Sequence, residues 1–248
     1  MRWKIDPYLN LGPLLIKWYT IFLALAILIP CLLIRRKSQQ FNVKKAEIDN
    51  LLLILVPTGI VGARLYHVID KWSYYQNHLV EILYIWQGGL GIFGALLVGG
   101  LVSWYYCKVK KIDLVNLLDL VLPYLLLGQG IGRVGNYFNS EGYGPPTTLP
   151  WGVMINGQNV HPTFFYEALW DLVGAVILIK LRLRLKKGQL ISFYLVIYGL
   201  GRLVAEVFRI DTFEVSGFKL GYAIATSLIL VGLFLLAKFT RIVKPEKR

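Results

Sequence analysis

Apolar residues dominate seven stretches of this chain, at about 14–34, 50–69, 88–107, 114–131, 163–181, 189–208 and 217–238. Each comes close to or exceeds the length of about 20 residues that a helix needs to cross a hydrocarbon core. No repeated alternation of the barrel type runs through them, and a bilayer admits only helices and closed barrels. The pattern therefore predicts an all-α integral membrane protein of about seven helices, a single polytopic domain over 1–248. The longest connection, 132–162, contains Pro145, Pro146, Pro150 and several glycines. It predicts a small segment between the fourth and fifth helices, ordered by turns rather than by a long helix. The glycines at its start are expected to end the fourth helix and let the backbone turn.

Charge orients the helices. Basic residues gather after the odd-numbered spans: Arg35, Arg36, Lys37, Lys44 and Lys45; Lys108, Lys110 and Lys111; Arg182, Arg184, Lys186 and Lys187; Lys238, Arg241, Lys244, Lys247 and Arg248. The intervening connections are poorer, with Lys71, with Arg209, and with no Lys or Arg between Glu141 and His161. The positive-inside rule then puts the N-terminus outside, the C-terminus in the cytoplasm and 132–162 on the extracytoplasmic face. The stronger basic flank of the first span comes after it, unlike that of a cleavable signal peptide. Residues are 56% hydrophobic and 17% charged, against roughly a quarter charged in soluble domains. The net charge of +13 is explained by this distribution, so no nucleic-acid partner is expected. Aromatics at span ends, such as Trp18, Tyr19, Trp72 and Trp104, suit interfacial anchoring. Cys31 and Cys107 fall near the cytoplasmic face, where thiols stay reduced, and read as packing residues.

The chemistry concentrates in Gly132-Arg133-Val134-Gly135-Asn136-Tyr137-Phe138-Asn139-Ser140-Glu141. Polar density beside hydrocarbon is costly and points to function. Further candidates in the outer half are Lys17, Arg64, Asp119, Glu167, Asp171, Arg202, Glu206 and Arg209. Arg202 and Glu206, four apart, share a helix face, and Arg209 lies three residues beyond. Such a triplet is either a structural ion-pair ladder or an arginine held for an anionic ligand. A guanidinium forks onto phosphate and keeps its charge, so Arg133 and Arg202 converging near lipid headgroups would suit a phospholipid phosphate. His161-Pro162-Thr163 opens the fifth span with a proline suited to a helix start, and His161 is either a packing residue or part of the site. The glycines of the third span (Gly88, Gly89, Gly91, Gly94, Gly99 and Gly100) fit close helix packing, or approach of a polar substrate to backbone. The match of Gly130 to Gly135 to G-x-G-x-x-G is set aside, because no soluble strand–turn–helix unit surrounds it. No carboxylate and histidine set has metal-ligand spacing, so neither metal nor cofactor is expected.

The Gly132-to-Glu141 run resembles the signature of the prolipoprotein diacylglyceryl transferases. Trp18-Tyr19, Gly62-Ala63-Arg64, Trp86-Gln87-Gly88-Gly89, Asp119, the run His161 to Glu167 and the run Tyr198 to Arg209 are similar to that family as well. The resemblance implies a multi-pass protein of the bacterial cytoplasmic membrane with its active site toward the outer face. It implies transfer of the diacylglyceryl group of phosphatidylglycerol to the lipobox cysteine of preprolipoproteins, as a thioether, with release of glycerol phosphate. Catalytic roles then fall to Arg133, Arg202, His161, Tyr19 and Glu141. Substrate binding falls to Asn136, Asn139, Arg64, Gly132, Glu206, Arg209, Asp119 and Glu167. One position departs: many members carry a histidine, proposed as a base, where this chain has Phe93. Two competing readings are a membrane lipid transporter, for which no internal repeat speaks, and an inactive lipid-binding membrane protein.

Overall fold

A computed structural model describes residues 6–12, 14–210, 212, 214–215 and 218–242. Eight α-helices are present among them: α1 (Trp18–Lys37), α2 (Lys45–Asp70), the single turn α3 (Trp72–Tyr75), α4 (Ile92–Lys110), α5 (Leu114–Asn139), α6 (Thr163–Leu181), α7 (Gln189–Phe208) and α8 (Leu220–Ile242). Three two-stranded antiparallel hairpins accompany them: β1 (Tyr8–Leu11) with β2 (Leu14–Lys17), β3 (Val153–Ile155) with β4 (Gln158–Val160), and β5 (Glu214–Val215) with β6 (Phe218–Lys219).

The helices match the apolar pattern, with differences at several ends. Leu14 to Lys17, expected within the first span, form β2. Six helical stretches are long and apolar enough to cross a membrane: Trp18–Phe41, Lys45–Asp70, Ile92–Lys110, Leu114–Asn139, Gln189–Phe208 and Leu220–Arg241. The segment expected as the fifth span forms α6 but is not among these six, because Glu167, Asp171 and Lys180 all fall within it.

The expected end of the fourth span is overturned. Helix α5 continues through Gly128, Gly130, Gly132 and Gly135 and ends only at Asn139. A glycine inside a helix costs up to about 1 kcal/mol relative to alanine, but here packing uses it. A Cβ at Gly128 would press on the Ala26 carbonyl of α1, and one at Gly130 on Leu172 of α6. In lipid the backbone must also keep its own hydrogen bonds, which favours continuing the helix. The stop comes from Ser140, which adopts φ 55°. Its N–H donates to Tyr137 O at 3.2 Å, and Glu141 N–H donates to Asn136 O at 3.0 Å. This paired closure satisfies the last carbonyls of the helix.

Beyond that stop, Asn156-Gly157, both at positive φ (51° and 82°), turn the β3–β4 hairpin. Asn-Gly favours such two-residue turns because both positions need left-handed φ. Ile155 and Val160 of the hairpin are buried with Phe164 at the start of α6, and Tyr137 and Tyr143 pack against them.

The chain divides into two compact units, residues 1–34 with 118–248, and residues 35–117. In the second, α2 and α4 meet at glycines. A Cβ on Gly62 would strike Gly94 O, and one on Gly94 would strike Gly62 O. The Gly91 N–H donates to Ala63 O at 2.9 Å. Small residues here permit close backbone approach, the packing expected of the third-span glycines.

Candidate active site

Three helix segments of the first unit deliver ionisable side chains to one place. Arg133 comes from α5, Glu167 and Asp171 from α6, and Arg202 and Glu206 from α7. Arg133 Nη1 lies 2.9 Å from Glu167 Oε2, and Arg202 Nη1 lies 3.3 Å from Glu167 Oε1. Arg202 also reaches Glu206, its Nη2 2.7 Å from Oε2, in the pairing expected from the four-residue spacing. Arg209, just past the end of α7, brings its Nη1 to 3.8 Å from Glu167 Oε1. Glu167 and Glu206 are buried, with side-chain exposure of 6% and 0%. Glu167 and Glu206 thus share three guanidiniums, and Asp171 brings a third carboxylate to the cluster.

These pairs are held more by charge than by aligned hydrogen bonds. Glu167 Oε2 and both oxygens of Glu206 lack a hydrogen bond of good geometry among the described residues, despite the short ion-pair distances. Guanidinium donors that are poorly spent on the internal carboxylates remain available to an anion. A small cleft opens at this point, lined by Arg133, Glu167, Trp170, Asp171, Tyr198, Gly201 and Arg202. Gly201 makes room for the Trp170 indole, whose Nε1–H donates to Ile197 O at 2.8 Å.

A second, larger cavity is lined by Ser140, Glu141, Gly142, Tyr143 and Ile210. Gly142 (φ 65°) sits between them, and a Cβ there would meet Asn136 and Arg209 side chains. Glu141 is exposed, while Asn136 and Asn139 are half-buried on the last turn of α5. Tyr19, half-buried at the start of α1, is within electrostatic reach of Glu141 and Arg133. A Cβ at Gly135 would meet the Tyr19 ring, so that glycine lets the two helices close together. At Gly132 a Cβ would find only Ala26, at 3.9 Å.

A prolipoprotein diacylglyceryl transferase family model matches residues 7–238. The chain belongs to this family. Similar relatives carry the name phosphatidylglycerol–prolipoprotein diacylglyceryl transferase. One from Streptococcus pyogenes serotype M5 (strain Manfredo) is 37% identical over 249 residues, covering 96% of each chain. Another, from Streptococcus equi subsp. zooepidemicus (strain H70), is 36% identical over 240 residues, covering 92% of this chain and 93% of the relative.

Not every residue expected at the diacylglyceryl transferase site is gathered there. Asp119 is buried near the opposite end of α5, about 20 Å of helix from Arg133 at 1.5 Å per residue. Its carboxylate accepts the Gly188 N–H at 2.5 Å and the Ile191 N–H at 3.1 Å, capping the start of α7. Arg64, in the other unit, is spent on backbone: Nε on Ile82 O (2.9 Å), Nη1 on Gly88 O (2.7 Å) and Gly89 O (3.2 Å), and Nη2 on Glu81 O (2.5 Å). Its guanidinium also lies 5.2 Å from the Tyr75 ring centroid. Both residues therefore have structural work of their own.

His161 sits in an aromatic setting. Its Nδ1 lies 3.3 Å from Tyr166 Oη, which accepts the Trp151 Nε1–H, and its ring lies 5.3 Å from that of Phe208. Phe93 is exposed at the start of α4, 5.8 Å from the Tyr66 ring. Asp171 is a charge to which the sequence alone assigns no role. Its signal is the spacing Glu167-x-x-x-Asp171, which puts both carboxylates on one face of α6.

Proposed function

We propose that this chain transfers the diacylglyceryl group of phosphatidylglycerol to the lipobox cysteine of preprolipoproteins, the first step of bacterial lipoprotein maturation. The observation carrying this reading is the convergence of Arg133 and Arg202, from different helices, on one loosely bonded carboxylate beside a cleft. A phosphate in place of that carboxylate would receive the same guanidiniums as forked, charge-assisted bonds.

The reaction is an alkyl transfer. The cysteine sulfur forms a bond to the terminal glycerol carbon of the diacylglyceryl group. The bond from that carbon to the phosphate oxygen breaks, and its electron pair leaves on glycerol phosphate. The leaving group is a stable anion, so it needs charge stabilisation more than protonation. Arg133 and Arg202 supply that stabilisation, and Arg209 adds to the field. Glu206 holds Arg202 in place from one turn away, and Glu167 holds the two arginines together. Asn136 and Asn139 orient the phosphate or the headgroup hydroxyls. Tyr19, Glu141 and His161 are the candidate proton acceptors that the family resemblance names. The thiol, with an ordinary pKa near ~8.5, is acidified by neighbouring cations.

In the bilayer, α6 is the fifth of seven spans, with Glu167 and Asp171 facing protein rather than lipid. The basic residues place the N-terminus outside, the C-terminus in the cytoplasm and residues 132–162, with the cleft, toward the outer face of the cytoplasmic membrane. Purified protein incubated with phosphatidylglycerol vesicles and a lipobox peptide should raise the peptide mass by one diacylglyceryl group. An unchanged peptide mass would overturn the proposal.

A further inference from the structure

We infer that Asp171 is the group that takes the proton from the lipobox thiol, an assignment that rests on the proposed transferase activity. Asp171 is 5% exposed and lines the cleft with Arg133 and Arg202. Among the described residues no hydrogen bond or ion pair engages its carboxylate, although every other acidic residue of the cluster is held by an arginine. A buried carboxylate with no hydrogen bond or ion pair of its own is costly and calls for a reason. General-base work is such a reason, because a base already spent on a guanidinium cannot readily accept a proton.

Position supports the same role. Asp171 lies one turn further along α6 than Glu167, about 6 Å by the helix rise. Glu167 marks where the guanidiniums converge, and so where the phosphate sits. Displacement at carbon requires the sulfur to approach opposite the departing phosphate oxygen. The thiol therefore belongs on the side of the reacting carbon away from Arg133 and Arg202. A group in the same cleft but one turn away from their meeting point is within reach of that side. The other candidates are less suited: Glu141 is exposed, and His161 faces Tyr166 and Phe208.

The balance is simple. The thiol proton passes to the Asp171 carboxylate as the carbon–sulfur bond forms and the carbon–oxygen bond breaks. Asp171 then returns the proton to water or to the departing glycerol phosphate. Arg133 from α5, Glu167 from α6, and Tyr194, Tyr198 and Arg202 from α7 are the ionisable groups facing it.

The test compares wild type, Asp171→Asn and Asp171→Glu in phosphatidylglycerol vesicles, with lipobox peptides carrying cysteine or selenocysteine. A selenol is already ionised at neutral pH and needs no base. Asp171→Asn should lower kcat for the cysteine peptide at least 100-fold at neutral pH, as loss of a general base does, with KM for lipid unchanged. The selenocysteine peptide should recover most of that loss, and raised pH part of it. Retention of wild-type kcat by Asp171→Asn would overturn the assignment. So would a rise in KM at constant kcat, or an equal loss for both peptides, either of which marks a counter-ion of Arg133. Where Asp171→Asn does not insert, Asp171→Glu decides: the acid limb of its pH–rate profile moves if this carboxyl is the base and stays if it is not. Inactive wild type would instead refute the transferase reading itself.

Discussion

Glu206 is fully buried, and the guanidinium of Arg202 lies 2.7 Å from its carboxylate, one turn away on the same helix. The pair fixes one of the three arginines that meet at Glu167. Removing one partner of a buried ion pair costs about 3–5 kcal/mol, because the other charge is left uncompensated. Glu206→Ala should therefore lower the unfolding midpoint in detergent and cut kcat. A thermal scan equal to wild type would contradict this.

Arg133→Ala and Arg202→Ala should each abolish diacylglyceryl transfer while leaving the protein inserted. Arg202→Lys should also fail to restore activity, since one ammonium cannot span Glu167 and Glu206 as the guanidinium does. The check is peptide mass in the vesicle assay, beside a membrane-extraction control. Normal thioether formation by either alanine variant would remove that arginine from the mechanism.

Asp119→Ala should act on stability rather than on chemistry. It removes the acceptor of two backbone N–H groups at the start of α7. Loss of a cap costs about 0.5–2 kcal/mol, so the midpoint should drop while KM for phosphatidylglycerol stays within a few-fold of wild type. A large rise in KM at unchanged stability would return Asp119 to the binding site.

Phe93→Ala should reduce activity only modestly, by altering packing on Tyr66 or access of lipid. Phe93 is 57% exposed and carries no ionisable group. The pH–rate profile of the variant should keep every ionisation of wild type, and loss of one would sink this reading.

Gly94→Val should weaken the α2–α4 association, because any side chain at Gly94 runs into the Gly62 carbonyl. Overpacking of this kind costs about 1–3 kcal/mol. Proteolysis of detergent-solubilised protein should reveal earlier opening of residues 35–117 than in wild type.

Much of this architecture is legible from hydrophobicity alone. The helices expected at 163–181 and 189–208 match α6 and α7 because the length of the apolar run decides them. The end of α5 is not legible in this way, because glycine signals a turn in water, whereas here Gly128 and Gly130 serve close packing. The β3–β4 hairpin has a local signal, Asn156-Gly157, hidden among prolines and glycines of a segment expected to be turns. Arg202 with Glu206 is evident from helical spacing, but their link to Arg133 through Glu167 depends on three helices meeting, which no local pattern encodes. The duties of Asp119 and Arg64 are hidden for the same reason. A charged residue near an apolar span looks functional until its partners are known, and theirs are backbone groups distant in sequence.

Arg64 carries this commitment to backbone furthest. Its three guanidinium nitrogens tie α2 to carbonyls at Glu81, Ile82, Gly88 and Gly89. One side chain therefore ties α2 to the two short 3₁₀ turns, Leu79–Leu83 and Ile85–Gln87, and to the glycines that follow, and the stretch 81–89 inherits the rigidity of the helix. Its protection against hydrogen exchange should rise and fall as a block. A connection between two helices then behaves as a cooperative part of the scaffold.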